Sequence, residues 1–216
     1  MCFYQKRGIN QTTIATIRYH IGKTRTITPP CINNMKQELL ALLRANSLLN
    51  GYFILASGKH STTFLDCKRT LLTAQGHILA ANFIWDEIQK LRENTNISTV
   101  AAVPIGGCSI ASAVSTYSAT LKNQPLDALY IRKEVKDHGT NNLIEGIADK
   151  NDGVVLLEDV LTTGKSSMIA LNALKDNGYN VVAVICIVDR LAGGKETIEK
   201  EFGIPVEALF TMKDFE

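Results

Sequence analysis

Apolar positions recur at helical spacing between residues 35 and 92, and beyond residue 97 they condense into short runs in which nearly every position is apolar. Leu39, Leu40, Leu42, Leu43 and Leu48 share one face of a 3.6-residue repeat that Asn50 and Gly51 interrupt, which predicts a helix from Met35 to Leu49. Two short β-type pieces follow, Tyr52 to Leu55 and Phe64 to Cys67, and they predict a hairpin-like hood. Ile78, Leu79, Phe83, Ile84, Ile88 and Leu91 mark a second helix that runs to about Arg92, with Thr73 as its N-cap.

The period then changes. Strands are predicted at Thr99 to Val103, Leu126 to Arg132, Val154 to Leu157 and Val181 to Val188. Helices at Cys108 to Leu121 and Ser166 to Asn177 alternate with them, and a last helix-strand pair spans Lys195 to Leu209. A run such as Val181 to Val188 is apolar on both faces, as a parallel strand covered by helices on either side must be. Strand-helix alternation predicts an α/β fold: an open, mostly parallel sheet flanked by helices, with a small N-terminal hood at 35–70. In such sheets ligands bind beyond the carboxyl ends of the strands.

Composition narrows the picture modestly. With 216 residues, 45% hydrophobic and 20% charged, the chain has material for one ordinary core. A net charge of +2 gives no support for nucleic-acid coating or a polybasic membrane surface. The five cysteines are scattered without a C-x-x-C pair, so neither a disulfide framework nor a zinc site is expected, and Cys186 reads as a small buried hydrophobe. The apolar runs fall far short of a membrane span, and a cytoplasmic home is expected. Residues 1–34 stand apart: they hold Lys6, Arg7, Arg18, Lys23 and Arg25 but no acid. They are expected to be a poorly ordered extension, or to precede a functional start at Met35, with residues 35–216 as the working domain.

Chemistry concentrates in two stretches. "VVLLEDVLTTGKS", Val154 to Ser166, passes from a buried strand through Glu158 and Asp159 into a threonine-glycine turn. Its tail mimics a nucleotide-binding P-loop, but the glycine required five positions before Gly164 is Asp159, an acid that would repel phosphate. Backbone N–H groups, hydroxyls and the helix start at Thr162, Thr163, Gly164, Lys165 and Ser166 suit a terminal phosphate. The two carboxylates upstream suit vicinal hydroxyls, so a sugar phosphate satisfies both halves. They would also lie near a magnesium ion carried by a polyphosphate. The second stretch, "RKEVKDHGTNNLIEG" from Arg132 to Gly146, clusters Arg132, Lys133, Lys136 and His138 with Gly139 and two asparagines in a basic, flexible loop.

The first stretch resembles the 5-phosphoribosyl 1-diphosphate (PRPP) motif of type I phosphoribosyltransferases, and the second resembles the catalytic loop of orotate phosphoribosyltransferase. "LASGKHSTTFLDCKR", Leu55 to Arg69, is similar to that family's hood, and Val188 to Arg190 to its V/L-D-R segment. The resemblance spans about Met35 to Leu209. It implies that orotate and PRPP yield orotidine 5-monophosphate and pyrophosphate, with Mg2+ held mainly by PRPP rather than by protein ligands. It further implies that Glu158 and Asp159 hold the ribose hydroxyls while Val160 and Leu161 lead into the 5-phosphate turn at Thr162 to Ser166. Thr162, Arg190 and Phe64 would meet orotate, the guanidinium facing its carboxylate. Arg132, Lys133, Lys136 and His138 would close over the pyrophosphate, with Lys136, His138 and Asp159 as the catalytic groups, in a homodimer with shared active sites.

Two positions depart from the family's usual pattern: Ala56 where several members carry lysine, with Lys59 nearby, and Gly106 where some members carry lysine. Two rival functions share the motif. One is transfer to another base. The other is a PRPP-sensing regulator on nucleic acid, against which the basic N-terminal segment is too short for a helix-turn-helix.

Overall fold

The computed structural model describes residues 15–18, 24–27, 32–54, 60–132 and 143–216. The chain divides into two units, Met1–Met35 and Lys36–Glu216. In the first, β1 (Ala15–Arg18) pairs antiparallel with β2 (Thr24–Ile27). No helix among the described residues is long and apolar enough to cross a membrane.

Helix α1 (Ile32–Asn46) starts three residues before the first leucine-patterned turn and stops earlier than its apolar face suggests, because Leu48 already belongs to a strand. That strand, β3 (Leu48–Ile54), forms an antiparallel hairpin with β4 (His60–Leu65), broken by a register shift between Asn50 and Phe53. Phe53 and Phe64 pack within it, ring centroids 5.5 Å apart. Both strands begin before the β-type segments that mark them: pairing across the hairpin recruits Leu48 and Leu49 from the end of the helical pattern, and polar residues at the start of β4 that propensity alone leaves out.

After the short helix α2 (Lys68–Leu71) comes α3 (Ala74–Arg92). Thr73 caps α3 as expected, its hydroxyl accepting from Gly76 N at 3.0 Å. Its apolar face buries Leu79, Ile84 and Ile88.

The main sheet has six strands in the order β10 (Val206–Thr211), β9 (Asn180–Asp189), β8 (Gly153–Leu161), β5 (Ile97–Ala102), β6 (Asp127–Ile131) and β7 (Ile144–Glu145). Strand β5 (Ile97–Ala102) leads through α4 (Gly106–Leu121) to β6 (Asp127–Ile131) on one side. Strand β8 (Gly153–Leu161) lies on the other side of β5 and leads through α5 (Lys165–Asp176) to β9 (Asn180–Asp189). Helix α6 (Gly194–Phe202) and β10 (Val206–Thr211) complete that wing. The strands are parallel except β7 (Ile144–Glu145), a two-residue edge strand antiparallel to β6 and too short to leave a period in the sequence.

The core lies between this sheet and its helices: Val154 through Leu157 on β8 and Ala183 through Val188 on β9 are fully buried. Cys186 is among them, a small hydrophobe whose thiol burial pushes far above its ordinary pKa. The chain turns opposite ways after β5 and after β8, so their carboxyl ends diverge and leave a crevice at this switch point.

Candidate active site

Strand β8 continues four residues past Leu157, so Glu158 and Asp159 lie within the strand rather than after it, with Glu158 opposite Cys186 and Leu161 opposite Asp189. At its end the chain makes the turn Thr162 to Gly164. Gly164 takes a left-handed backbone (φ 77°) as the N-cap of α5, and no side chain caps the helix start. Uncapped N–H groups and the positive end of the helix dipole face the crevice, the standard physical basis for holding an anion. A cavity of ≈ 390 Å³ opens there, lined by Arg132, Val160 and the whole of Thr162 to Ser166, with Val103, Ile131 and Ile169 as apolar walls.

The two acids contact different elements. Glu158 is buried, and its Oε2 accepts hydrogen bonds from Ser167 Oγ at 2.9 Å and Ser166 Oγ at 3.2 Å, so the first turn of α5 holds it. Burial, then the charge of Asp159, pushes its carboxyl up to about 7 against the pull of the two hydroxyls. Asp159 lies against Gly106 at the start of α4, where any Cβ would run into its carboxylate. Burial raises its pKa as well, while the Lys68 charge and backbone N–H groups hold it down.

The raised pKa of Glu158 has a stability consequence of definite sign. Between its ordinary value of 4.5 and about 7 the folded chain keeps a proton that the unfolded chain has lost. Its stabilising contribution is complete below the ordinary value and is lost as pH rises through about 7. The melting temperature of the ligand-free protein should therefore fall by a few degrees from about pH 5 to about pH 7.5, by the usual scaling of Tm with stability. Glu158→Gln should flatten that part of the profile; parallel thermal-melt profiles for the two chains would assign the titration to another group.

Arg132 lines the cavity but is engaged: its Nε and Nη2 lie 2.6 and 2.5 Å from Glu145 Oε1 on β7. Its backbone N donates to Leu143 O at 2.7 Å, closing the strand pair on either side of residues 133–142. Lys133, Lys136 and His138 lie outside the described residues. Arg190 follows β9, its N donating to Leu161 O at 2.9 Å, which sets it beside the end of β8. Phe64 sits in the hairpin against Phe53 and, like Arg190, is not among the residues lining the cavity.

Two contributors escaped the motifs. Gly106 is noticeable in the sequence only as a missing lysine, whereas in the fold its bare Cα admits the Asp159 carboxylate to the start of α4, a favourable place for negative charge. Lys68, within the hood-like stretch, is ion-paired to Asp66 at 2.6 Å and supplies positive charge to Asp159. Its proximity to an acid 91 positions along the chain has no sequence signal.

The doubly wound sheet sets an acid pair and an uncapped helix start along one strand, turn and helix, the arrangement a sugar phosphate would suit. That combination defines the class: a type I phosphoribosyltransferase. No family model matches the chain. It is 46% identical over 182 residues to the orotate phosphoribosyltransferase of Sorangium cellulosum (strain So ce56), covering 83% of this chain and 92% of that protein. The crystal structure of the Mycobacterium tuberculosis H37Rv orotate phosphoribosyltransferase with Fe(III) dicitrate matches at a TM-score of 0.71 and 30% identity, covering 84% of this chain and 98% of that one. The same enzyme in complex with PRPP matches at 0.67 and 28%, with the same coverage. The chain belongs to the orotate phosphoribosyltransferase family and is a pentosyltransferase.

Proposed function

We propose that this crevice binds PRPP and orotate together, and that Thr162 to Ser166 wrap the 5-phosphate while Glu158 and Asp159 accept hydrogen bonds from the ribose hydroxyls. The supporting observation is the continuity of β8, turn and α5: Thr162 to Ser166 and the uncapped start of α5 open onto the cavity, and the two carboxylates stand immediately before them on the same strand. The bond from ribose carbon 1 to the pyrophosphate oxygen breaks, its electron pair leaving with pyrophosphate, and a bond from carbon 1 to the orotate ring nitrogen forms as that nitrogen gives up its proton to pyrophosphate or water. No protein nucleophile is required. The protein's work is to orient the two reactants and to offset the departing negative charge.

Glu158 and Asp159 present hard carboxylate oxygens, which suit Mg2+ in the manner of sites completed by substrate oxygens. Among the described residues there is no cluster of three metal-ligating side chains. The ion, bound with PRPP, would neutralise pyrophosphate charge. Lys133, Lys136 and His138 are assigned to the pyrophosphate from the resemblance of their segment, and a cytoplasmic homodimer that shares its active sites belongs to the same reading.

The test is formation of orotidine 5-monophosphate from orotate and PRPP, with and without Mg2+, beside parallel reactions with uracil, adenine and hypoxanthine. Product with orotate alone supports the proposal; product from another base in preference to orotate would overturn it.

Arg190→Ala probes the base end. Its expected effect is a rise of roughly tenfold or more in KM for orotate, the cost of one charge-assisted contact, with KM for PRPP nearly unchanged. Equal increases in both constants would remove Arg190 from the orotate site.

A further inference from the structure

The turn that follows β9 is fastened to the end of β8 at two points. Arg190 N donates to Leu161 O at 2.9 Å, and Gly194 N donates to Thr162 O at 3.1 Å. The second point leaves no room. A Cβ built on Gly194 would lie 2.6 Å from Thr162 O, 2.8 Å from Gly164 N and 3.0 Å from the Thr163 carbonyl carbon. All three are main-chain atoms of the phosphate turn, so none can swing aside as the tip of a side chain could. From the opposite wall, a Cβ on Gly164 would meet Gly194 O and Ile198 Cδ1 at 3.2 Å. The bare start of α6 and the phosphate turn are thus moulded against each other.

The neighbouring glycine has a different reason to be there. Gly193 has φ 85°, a left-handed backbone that disfavours other residues, yet a Cβ on it would meet nothing within 4 Å. One glycine serves the local turn, and the other serves a contact with the binding site. The two causes are separable by substitution.

We propose that Gly194 is a positioning residue for the transfer reaction: the unobstructed entry to α6 is the template that shapes Thr162 to Gly164 and locks the phosphate turn to the turn carrying Arg190. The two proposed ends of the reactant pair, the ribose 5-phosphate and orotate, are then held in register by one rigid connection. Such registration matters because displacement of a bound group by about 1 Å is enough to cost on the order of a hundredfold in rate. The inference rests on the PRPP reading of the turn.

The experiment compares Gly194→Ala and Gly193→Ala with the parent chain, by steady-state kinetics, calorimetric titration with PRPP and thermal melting. Gly194→Ala should raise KM for PRPP about tenfold or more, a consequence of displacing the turn. Gly193→Ala should lower the melting temperature through backbone strain while leaving KM for PRPP at the parent value. A parent-like KM in Gly194→Ala, or equal rises in KM in both variants, would overturn the proposal, the latter because the effect would then track stability. If Gly194→Ala does not fold, Ile198→Val removes the methyl nearest Gly164 and should give a smaller rise in the same KM; no rise would overturn the proposal. A parent chain that fails to bind PRPP in the titration would instead overturn the functional reading itself, before any variant is compared.

Discussion

Asp159→Asn should melt at or above the temperature of the parent chain and yet lose about tenfold to a hundredfold in kcat/KM, the range expected for one charge-assisted hydrogen bond to substrate. The two halves of this expectation come from the same observation. Burial raises the pKa of Asp159, so the folded protein holds its charged form against a desolvation cost. The amide has the same shape and no charge, and it relieves that cost. It also relieves repulsion from Glu158, whose carboxyl Asp159 helps push upward. Lys68 loses a favourable neighbour, but it keeps its ion pair with Asp66 at 2.6 Å. Two buried neighbouring carboxyls, one of which holds its proton to about pH 7, are the costly arrangement expected of a functional site. Kinetics beside a thermal melt measure both halves; full activity in Asp159→Asn would remove this carboxylate from the reaction.

Lys136→Ala should lower kcat by about a hundredfold or more, about 3 kcal/mol of lost transition-state stabilisation, with the melting temperature unchanged. The argument is one of charge supply. The departing pyrophosphate gathers negative charge as the bond to carbon 1 lengthens, and the cavity wall offers Arg132 and Lys165 as cations. Arg132 already shares Glu145 through two nitrogens, which reduces what it can give to a second anion. Beyond these and the metal ion carried by PRPP, the expected further source of positive charge is residues 133–142, bracketed by the Arg132 N to Leu143 O hydrogen bond, which carry Lys133, Lys136 and His138. A cation that acts mainly on the leaving group lowers kcat and kcat/KM together on removal, and single-turnover kinetics would reveal it. If KM for PRPP rises while kcat stays at the parent value, Lys136 holds ground state and transition state equally and has no special action on the leaving group.

The fold was largely legible because its strongest elements are periodic. The alternation of apolar runs with helical faces after residue 97 announces a parallel sheet, and strand edges moved by only a few residues. β8 is the instructive exception: two charged residues argue for its end, but pairing with β9 carries the strand through them to Leu161. Ladder hydrogen bonds and covering helices outweigh local polarity there. Elements of two and four residues, β7 and α2, are too short for any period to show.

The site was legible in unequal parts. Contiguous residues on one strand, turn and helix start, Glu158 to Ser166, could be read together because the chain itself holds them together. Arg190 could be placed only through resemblance, and its tie to Leu161 comes from the register of β8 with β9. The serine hydroxyls on Glu158, the Lys68 charge near Asp159 and the fit of Gly194 against Thr162 were not readable at all.

By itself, then, the order of residues determined which segments become strands and helices, that the sheet is mostly parallel, and that an acid pair precedes a phosphate-shaped turn. These depend on period and on neighbours a few positions apart, which a linear chain displays directly. Only the tertiary structure decided where each acid would find its partners, why glycine occupies positions 106 and 194, and how the phosphate turn is braced against the start of α6. Those outcomes depend on approaches between separate elements, from the serines of α5 on Glu158 to Lys68 near Asp159 and Gly194 against Thr162, and such distances come into being only when the sheet assembles and its helices close over it.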